Sequence, residues 1–179
     1  LVATAQANQD PYFAHTLIFI HQHTVQPETA GILPCIGVII NRVSALHLID
    51  LFERSKSLKP LSGLRGDQAT DRLVTVGGQP ILDGGPLASQ HGFILTDQAE
   101  DSVQVAEILS LTESRLQALC HGEHSGRYEV ILGCAAWAQD KLKSEISKGF
   151  WEVLPAHESL LFDVPYRDRY AVACQHLGF

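Results

Sequence analysis

The sequence predicts an α+β fold. Short apolar, β-branched runs dominate its first half, and amphipathic segments bounded by capping residues dominate its second. Strands and helices alternate only partly, which disfavours a doubly wound sheet. The 179 residues, 45 % of them hydrophobic, suffice for one domain with a sizeable core, and a single domain over residues 1–179 is expected.

Asp10-Pro11-Tyr12-Phe13 reads as a turn, since proline fixes φ and disfavours helix before it. His15–His21 reads as a strand, Gln22–Pro34 as a loop and Ile36–Ile40 as a central strand ending at Asn41-Arg42. Ser44 is a candidate helix cap, with Leu48, Leu51 and Phe52 on one face beyond it. Leu58–Asp71 is loop-like. Leu73–Val76 and Ile81-Leu82 are short strand candidates, Gly84-Gly85-Pro86 is a sharp turn, and His91–Leu95 and Ser102–Ile108 are further strands.

In the second half Thr112 caps a helix that Gly122 stops, with Leu116 and Leu119 on its apolar face. Tyr128–Leu132 is a buried strand running into Gly133-Cys134-Ala135-Ala136-Trp137. A helix follows from about Gln139 to Lys148, with Gly149 past its end, and then a short extended Trp151–Leu154. The last helix is expected to start near Pro165, to bury Tyr166, Tyr170, Ala173, Cys174 and Leu177, and to stop at Gly178.

Charge and composition narrow the function. The net charge is −7, and the acidity is concentrated late: residues 1–90 carry 6 basic and 7 acidic groups, residues 91–179 carry 7 and 13. Specific nucleic-acid binding is not expected, because it needs a basic face to displace counterions from phosphate. The basic stretch Arg54, Lys56, Lys59, Arg65 and Arg72 is offset by Asp67 and Asp71 and reads as a solvated loop. No run approaches the roughly 18 apolar residues of a membrane span, and Leu1–Ala5 lacks the pattern of a signal peptide. A cytoplasmic setting is expected. Cys35, Cys120, Cys134 and Cys174 form no C-x-x-C pair and read as reduced, mostly buried thiols.

Four motifs stand in one order: D-P-x-F at Asp10–Phe13, G-V-I-I-N-R at Gly37–Arg42, G-G-P followed by H-G-F-I-L within Gly84–Leu95, and G-x-A-x-W at Gly133–Trp137. In these the chain resembles the YqgE/AlgH family of bacterial proteins. The resemblance implies a branched, mixed β-sheet forming a partial barrel and flanked by several helices. It also implies an association with alginate regulation, without an established biochemical activity. The sequence departs from the family pattern at Val43, where proline is common, and at Cys134 and Ala136, where tyrosine and glycine are common.

Candidate ligand-binding residues are Asn41, Arg42, Gly84, Gly85, Pro86, Gly133, Cys134 and Trp137. Arginine is a preferred binder of carboxylate and phosphate, and a glycine turn can present N–H groups to an anion. Each has a structural reading beside it: Asn41 as a turn cap, the glycines as conformational necessities, Trp137 and Trp151 as core anchors. Cys134, placed before a helix, would be an activated nucleophile if that helix lowered its pKa, although G-C-A-A-W is not a G-x-S-x-G elbow. His21-x-His23 and His121-x-x-His124 invite a metal reading, but zinc needs three or four ligands and the rest cannot be named. No catalytic residue, metal or cofactor is therefore assigned. The expected function is a non-enzymatic binding or regulatory module with a protein partner or a small anionic ligand. The alternatives are a cysteine-dependent enzyme using Cys134 and a transcriptional regulator contacting DNA. Arg42, Gly85 and Cys134 are expected to line one surface region.

Overall fold

The computed structural model describes residues 1–21, 35–55, 76–98 and 105–179. In chain order its elements are β1 (Val2–Ala3), β2 (Ile18–His21), β3 (Cys35–Ile39), β4 (Val43–His47), α1 (Leu48–Ser55), β5 (Pro80–Asp83), β6 (Leu87–Thr96), β7 (Glu107–Ser110), α2 (Glu113–His121), β8 (Tyr128–Trp137), α3 (Gln139–Ser147), β9 (Trp151–Glu152), α4 (Glu158–Phe162) and α5 (Arg169–Leu177). The fold is α+β. Strand order runs β2-β3-β8-β5-β4, and β6, which carries β7, also pairs with β8. β8 thus has three strand neighbours, so the sheet branches there as the resemblance implies. Among the described residues the order does not close into a barrel.

The chain divides into two compact units. One comprises Leu1–Arg42, Asp83–Gln90 and Gly133–Phe179; the other comprises Val43–Leu82 and His91–Leu132. The first has a core of Ala3, Ile18, Ile39, Ala135, Trp137, Leu142 and Trp151, against which Phe13 and Tyr170 pack. Here β2 pairs with β3, β3 with the last residues of β8, and β1 with β9, all antiparallel. The second unit has its own core of Leu48 and Phe52 from α1, Ile81 from β5, Ile94 from β6, Leu116 and Leu119 from α2, and Val130 from β8.

Several elements follow from local rules. Thr112 Oγ1 accepts the Arg115 N–H at 3.3 Å to cap α2. Gly122 closes that helix in the left-handed region at φ 66°. Gly149 (φ 77°) and Gly178 (φ 87°) stand past α3 and α5 in the same way.

Other elements differ from the sequence reading. Ser44 does not cap a helix. It lies in β4, where its Oγ accepts the Leu46 N–H at 3.0 Å. Pairing of Val43 with Leu82 and of His47 with Pro80 carries the strand to His47, so α1 starts at Leu48. The strand expected to end at Leu132 continues to Trp137, because Ala135, Ala136 and Trp137 pair with Gly37, Ile36 and Cys35. Gly133 and Cys134 are therefore inside a strand, and Asn41-Arg42 is followed by β4. Neither segment is the strand-to-helix junction that the sequence suggested. A short helix, α4, lies ahead of the last one, which begins at Arg169 rather than near Pro165. Of that helix's expected core residues Ala173 is buried, whereas Tyr170, Cys174 and Leu177 are half-buried and Tyr166 precedes it. Tyr170 nonetheless packs on the core and donates to the Ala3 carbonyl at 2.7 Å. Val76 sits in a helical turn, while Leu73–Thr75, His23, residues 22–34 and the basic residues 56–72 lie outside the described residues. The strand placed at Ser102–Ile108 is found at Glu107–Ser110, with residues 102–104 outside the described set.

Candidate functional site

The D-P-x-F segment is a side-chain-capped turn. Asp10 Oδ1 accepts the Tyr12 N–H at 2.9 Å, and the Asp10 carbonyl accepts those of Phe13 and Ala14 at 3.1 and 2.9 Å. The turn splits two aromatic rings between two tasks. Phe13 enters the core against Trp137 and Trp151, with ring centroids 6.2 and 5.6 Å away. Tyr12 stays half-buried beneath Arg42, whose guanidinium carbon sits 4.9 Å from the ring centroid, within cation–π range. Arg42 Nη2 also donates to the Tyr12 carbonyl.

The other end of the Tyr12 ring reaches Asp83. The phenol donates to Asp83 Oδ1 at 3.2 Å, and the Gly85 N–H approaches the same oxygen at 3.4 Å. The Asp83 N–H donates to the Arg42 carbonyl at 2.9 Å. Burial, reinforced by the neighbouring Asp83 carboxylate and only partly offset by Arg42, pushes the Tyr12 phenol above its ordinary pKa. Two of the sequence motifs, D-P-x-F and the N-R that ends G-V-I-I-N-R, thus meet Asp83 and the adjoining G-G-P turn in one cluster.

The remaining candidates are mainly structural. The Asn41 side chain accepts the Leu17 N–H at 2.7 Å and donates to the His15 carbonyl at 2.8 Å, fastening the start of β2 while His15 itself adopts φ 55°. The Gly84 carbonyl accepts the Ile39 N–H at 2.9 Å. Gly85 lies directly on the β8 backbone: a Cβ there would fall 2.2 Å from the carbonyl carbon of Cys134. Reciprocally, a Cβ on Gly133 would fall 2.5 Å from the Gly85 carbonyl oxygen. Pro86 is exposed. Trp137 is buried, and its indole N–H shares Glu145 Oε2 with that of Trp151, at 3.0 and 2.9 Å. The structure therefore links Arg42 to Gly85 through Tyr12 and Asp83, and sets Gly85 against Cys134. Asn41 and Trp137 serve as a clamp and a core anchor.

Cys134 does not have the environment of an activated nucleophile. It is 7 % exposed within a strand, and burial raises its thiol pKa rather than lowering it. A thiolate-stabilising helix start would do the opposite. Iodoacetamide labelling of the native chain at pH 7, mapped by mass spectrometry, should modify Cys134 at least about tenfold more slowly than in the denatured chain. Labelling at or above the denatured rate would restore the nucleophile reading. His91 is exposed on β6, and His124 approaches Thr96 Oγ1 at 3.3 Å. Among the described residues no three His, Cys, Asp or Glu side chains form a metal-sized group.

Tyr12 and Asp83 are the site residues that sequence reasoning missed. The signal for Tyr12 was its place in the Asp-Pro turn. For Asp83 it was an acidic residue immediately before Gly-Gly, a pattern that favours side-chain-to-backbone bonding.

These segments can be set beside known proteins. A family model described as AlgH-like (DUF179) matches residues 1–179. The chain belongs to the AlgH-like family. A UPF0301 protein of Pasteurella multocida (strain Pm70) is 33 % identical to this AlgH-like protein over 184 residues, covering 99 % of the chain and 89 % of the relative. A UPF0301 protein of Stutzerimonas stutzeri (strain A1501) is 33 % identical, covering 94 % and 82 %. The solution structure of the AlgH protein from Pseudomonas aeruginosa superposes with a TM-score of 0.69 at 27 % identity, covering 99 % of this chain and 86 % of that one. Protein DIP2367 of Corynebacterium diphtheriae shares the fold, with a TM-score of 0.56 at 22 % identity over 93 % of this chain and 81 % of that one. Among the described residues no helix is long and apolar enough to cross a membrane.

Proposed function

We propose that this AlgH-like protein is a non-enzymatic, cytoplasmic binding module that meets a ligand or a protein partner through the half-exposed Tyr12–Arg42–Asp83 patch. The observation that carries this is the state of Arg42. A guanidinium has five N–H donors, and here one nitrogen is engaged by the Tyr12 carbonyl while the guanidinium carbon rests 4.9 Å from the Tyr12 ring centroid. Among the described residues no carboxylate makes a hydrogen bond or ion pair with it. A cation held in place with donors to spare is prepared for an oxyanion. The buried Cys134 with its raised pKa supports a binding role over cysteine chemistry, and the net charge of −7 supports a partner other than duplex DNA.

The test is thermal melting in sodium acetate against sodium chloride of equal ionic strength. At about ten times Kd a bound anion adds roughly 1.4 kcal/mol, or about 3–6 °C for a chain of this size. The wild-type chain should show this rise. Arg42→Ala should keep a similar baseline Tm and lose it. An identical rise in both proteins would sink the assignment of the patch.

A further inference from the structure

The Tyr12 ring carries groups of opposite charge. Arg42 lies over its face and Asp83 accepts from its hydroxyl, yet the two are not within ion-pair distance of each other. Among the described residues the hydrogen bonds to the Asp83 carboxylate, from Tyr12 and from Gly85, both fall on Oδ1. Oδ2 is then the acceptor available to a ligand, as the unengaged Arg42 nitrogens are the donors. An anion docked on Arg42 alone would sit in the repulsive field of Asp83, and a cation on Asp83 would sit in that of Arg42. A ligand carrying both charges a few atoms apart satisfies both. The floor beneath is closely packed, because Gly85 rests on the β8 backbone, and the turn that presents Tyr12 is capped by Asp10.

We propose that the patch recognises a zwitterion of the α-amino-acid type, its carboxylate on Arg42 and its ammonium on Asp83, with the Tyr12 ring between them. This rests on the binding role given above and specifies the chemical class of its ligand.

Titrations followed by amide chemical shifts test it, with L-alanine, L-alanine methyl ester and acetate as probes. On the wild-type chain L-alanine should bind more tightly than the ester, which lacks the carboxylate, and more tightly than acetate, which lacks the ammonium. Asp83→Asn keeps an Oδ1 acceptor for Tyr12 and Gly85 while removing the charge. It should weaken L-alanine by about two- to fivefold, the range of a partly exposed ion pair, and should strengthen acetate. That opposite response is the signature of the zwitterion. If Asp83→Asn moves both ligands in the same direction, or neither, the zwitterion is refuted. So is it if acetate matches L-alanine on the wild-type chain, a comparison that needs no variant. Acetate binding that survives Arg42→Ala would refute the wider patch assignment. Acetate binding that depends on Arg42, beside L-alanine binding indifferent to Asp83, would refute the zwitterion alone.

Discussion

Alanine at position 85 should leave little protein that melts cooperatively. A Cβ on Gly85 would lie 2.2 Å from the carbonyl carbon of Cys134, 2.3 Å from its oxygen and 2.6 Å from the nitrogen of Ala135. All three are backbone atoms of β8, whose Ala135 is held in register with Gly37. No side chain can rotate to make room, so a strand would have to move. That places the cost at or beyond about 4 kcal/mol, the range reserved for severe lesions, in a fold whose whole stability is of order 5–15 kcal/mol. Gly178 is the control. It has φ 87° but nothing within 4 Å of an added Cβ, so alanine there should cost only about 1–2 kcal/mol for the left-handed backbone. Urea melts of the two variants separate steric crossing from backbone preference. If Gly85→Ala melts within about 1 kcal/mol of wild type, the close approach to β8 is not real.

The second large effect should come from Arg169. It is 2 % exposed, donates from Nε to the Val164 carbonyl at 2.9 Å and from Nη1 to the Ile40 carbonyl at 2.7 Å, and so ties the start of α5 to the end of the β3 segment. Arg169→Ala removes charge-assisted bonds, strands the buried Ile40 carbonyl and opens a cavity. Each of these costs on the order of 1–3 kcal/mol, and together they should exceed about 3 kcal/mol. Arg169→Lys tests the fork itself. A single ammonium on a flexible stem does not reproduce two nitrogens in a fixed plane, so lysine should recover only part of the loss. Denaturant midpoints equal to wild type for lysine would show that charge, not geometry, does the holding.

How much of this was legible in the sequence depended on the reach of each interaction. The cap at Thr112 and the stop at Gly122 were readable because both act within one turn of α2. Ser44 carried the same local signal and was misread, since strand pairing between residues 43 and 82 outweighed it. Gly85 and Gly133 stood out as glycines, but the need for them lies in a chain crossing between residues about fifty apart in sequence, which no local rule encodes. Arg169 carried no signal in the sequence, because only the fold brings the Ile40 carbonyl to it. The site was legible in the same measure. Arg42 was identified by its chemistry. Tyr12 and Asp83 were passed over, because a turn aromatic and an acid before two glycines have meaning only once they meet.

The threading of the two units sets a limit on dissecting the gene. The chain passes between them after Arg42, Leu82, Gln90 and Leu132, so the first unit is assembled from three separate stretches. A stop codon after Leu132 would spare the second unit's residues yet remove α3, β9, α4 and α5 and leave β3 without its β8 partner. A start at Val43 would discard β1, β2 and β3 together with Tyr12 and Arg42. No single cut in the coding sequence isolates either unit from the other, so truncations of this chain back to Leu132 or forward to Val43 forfeit the first unit whichever end they remove.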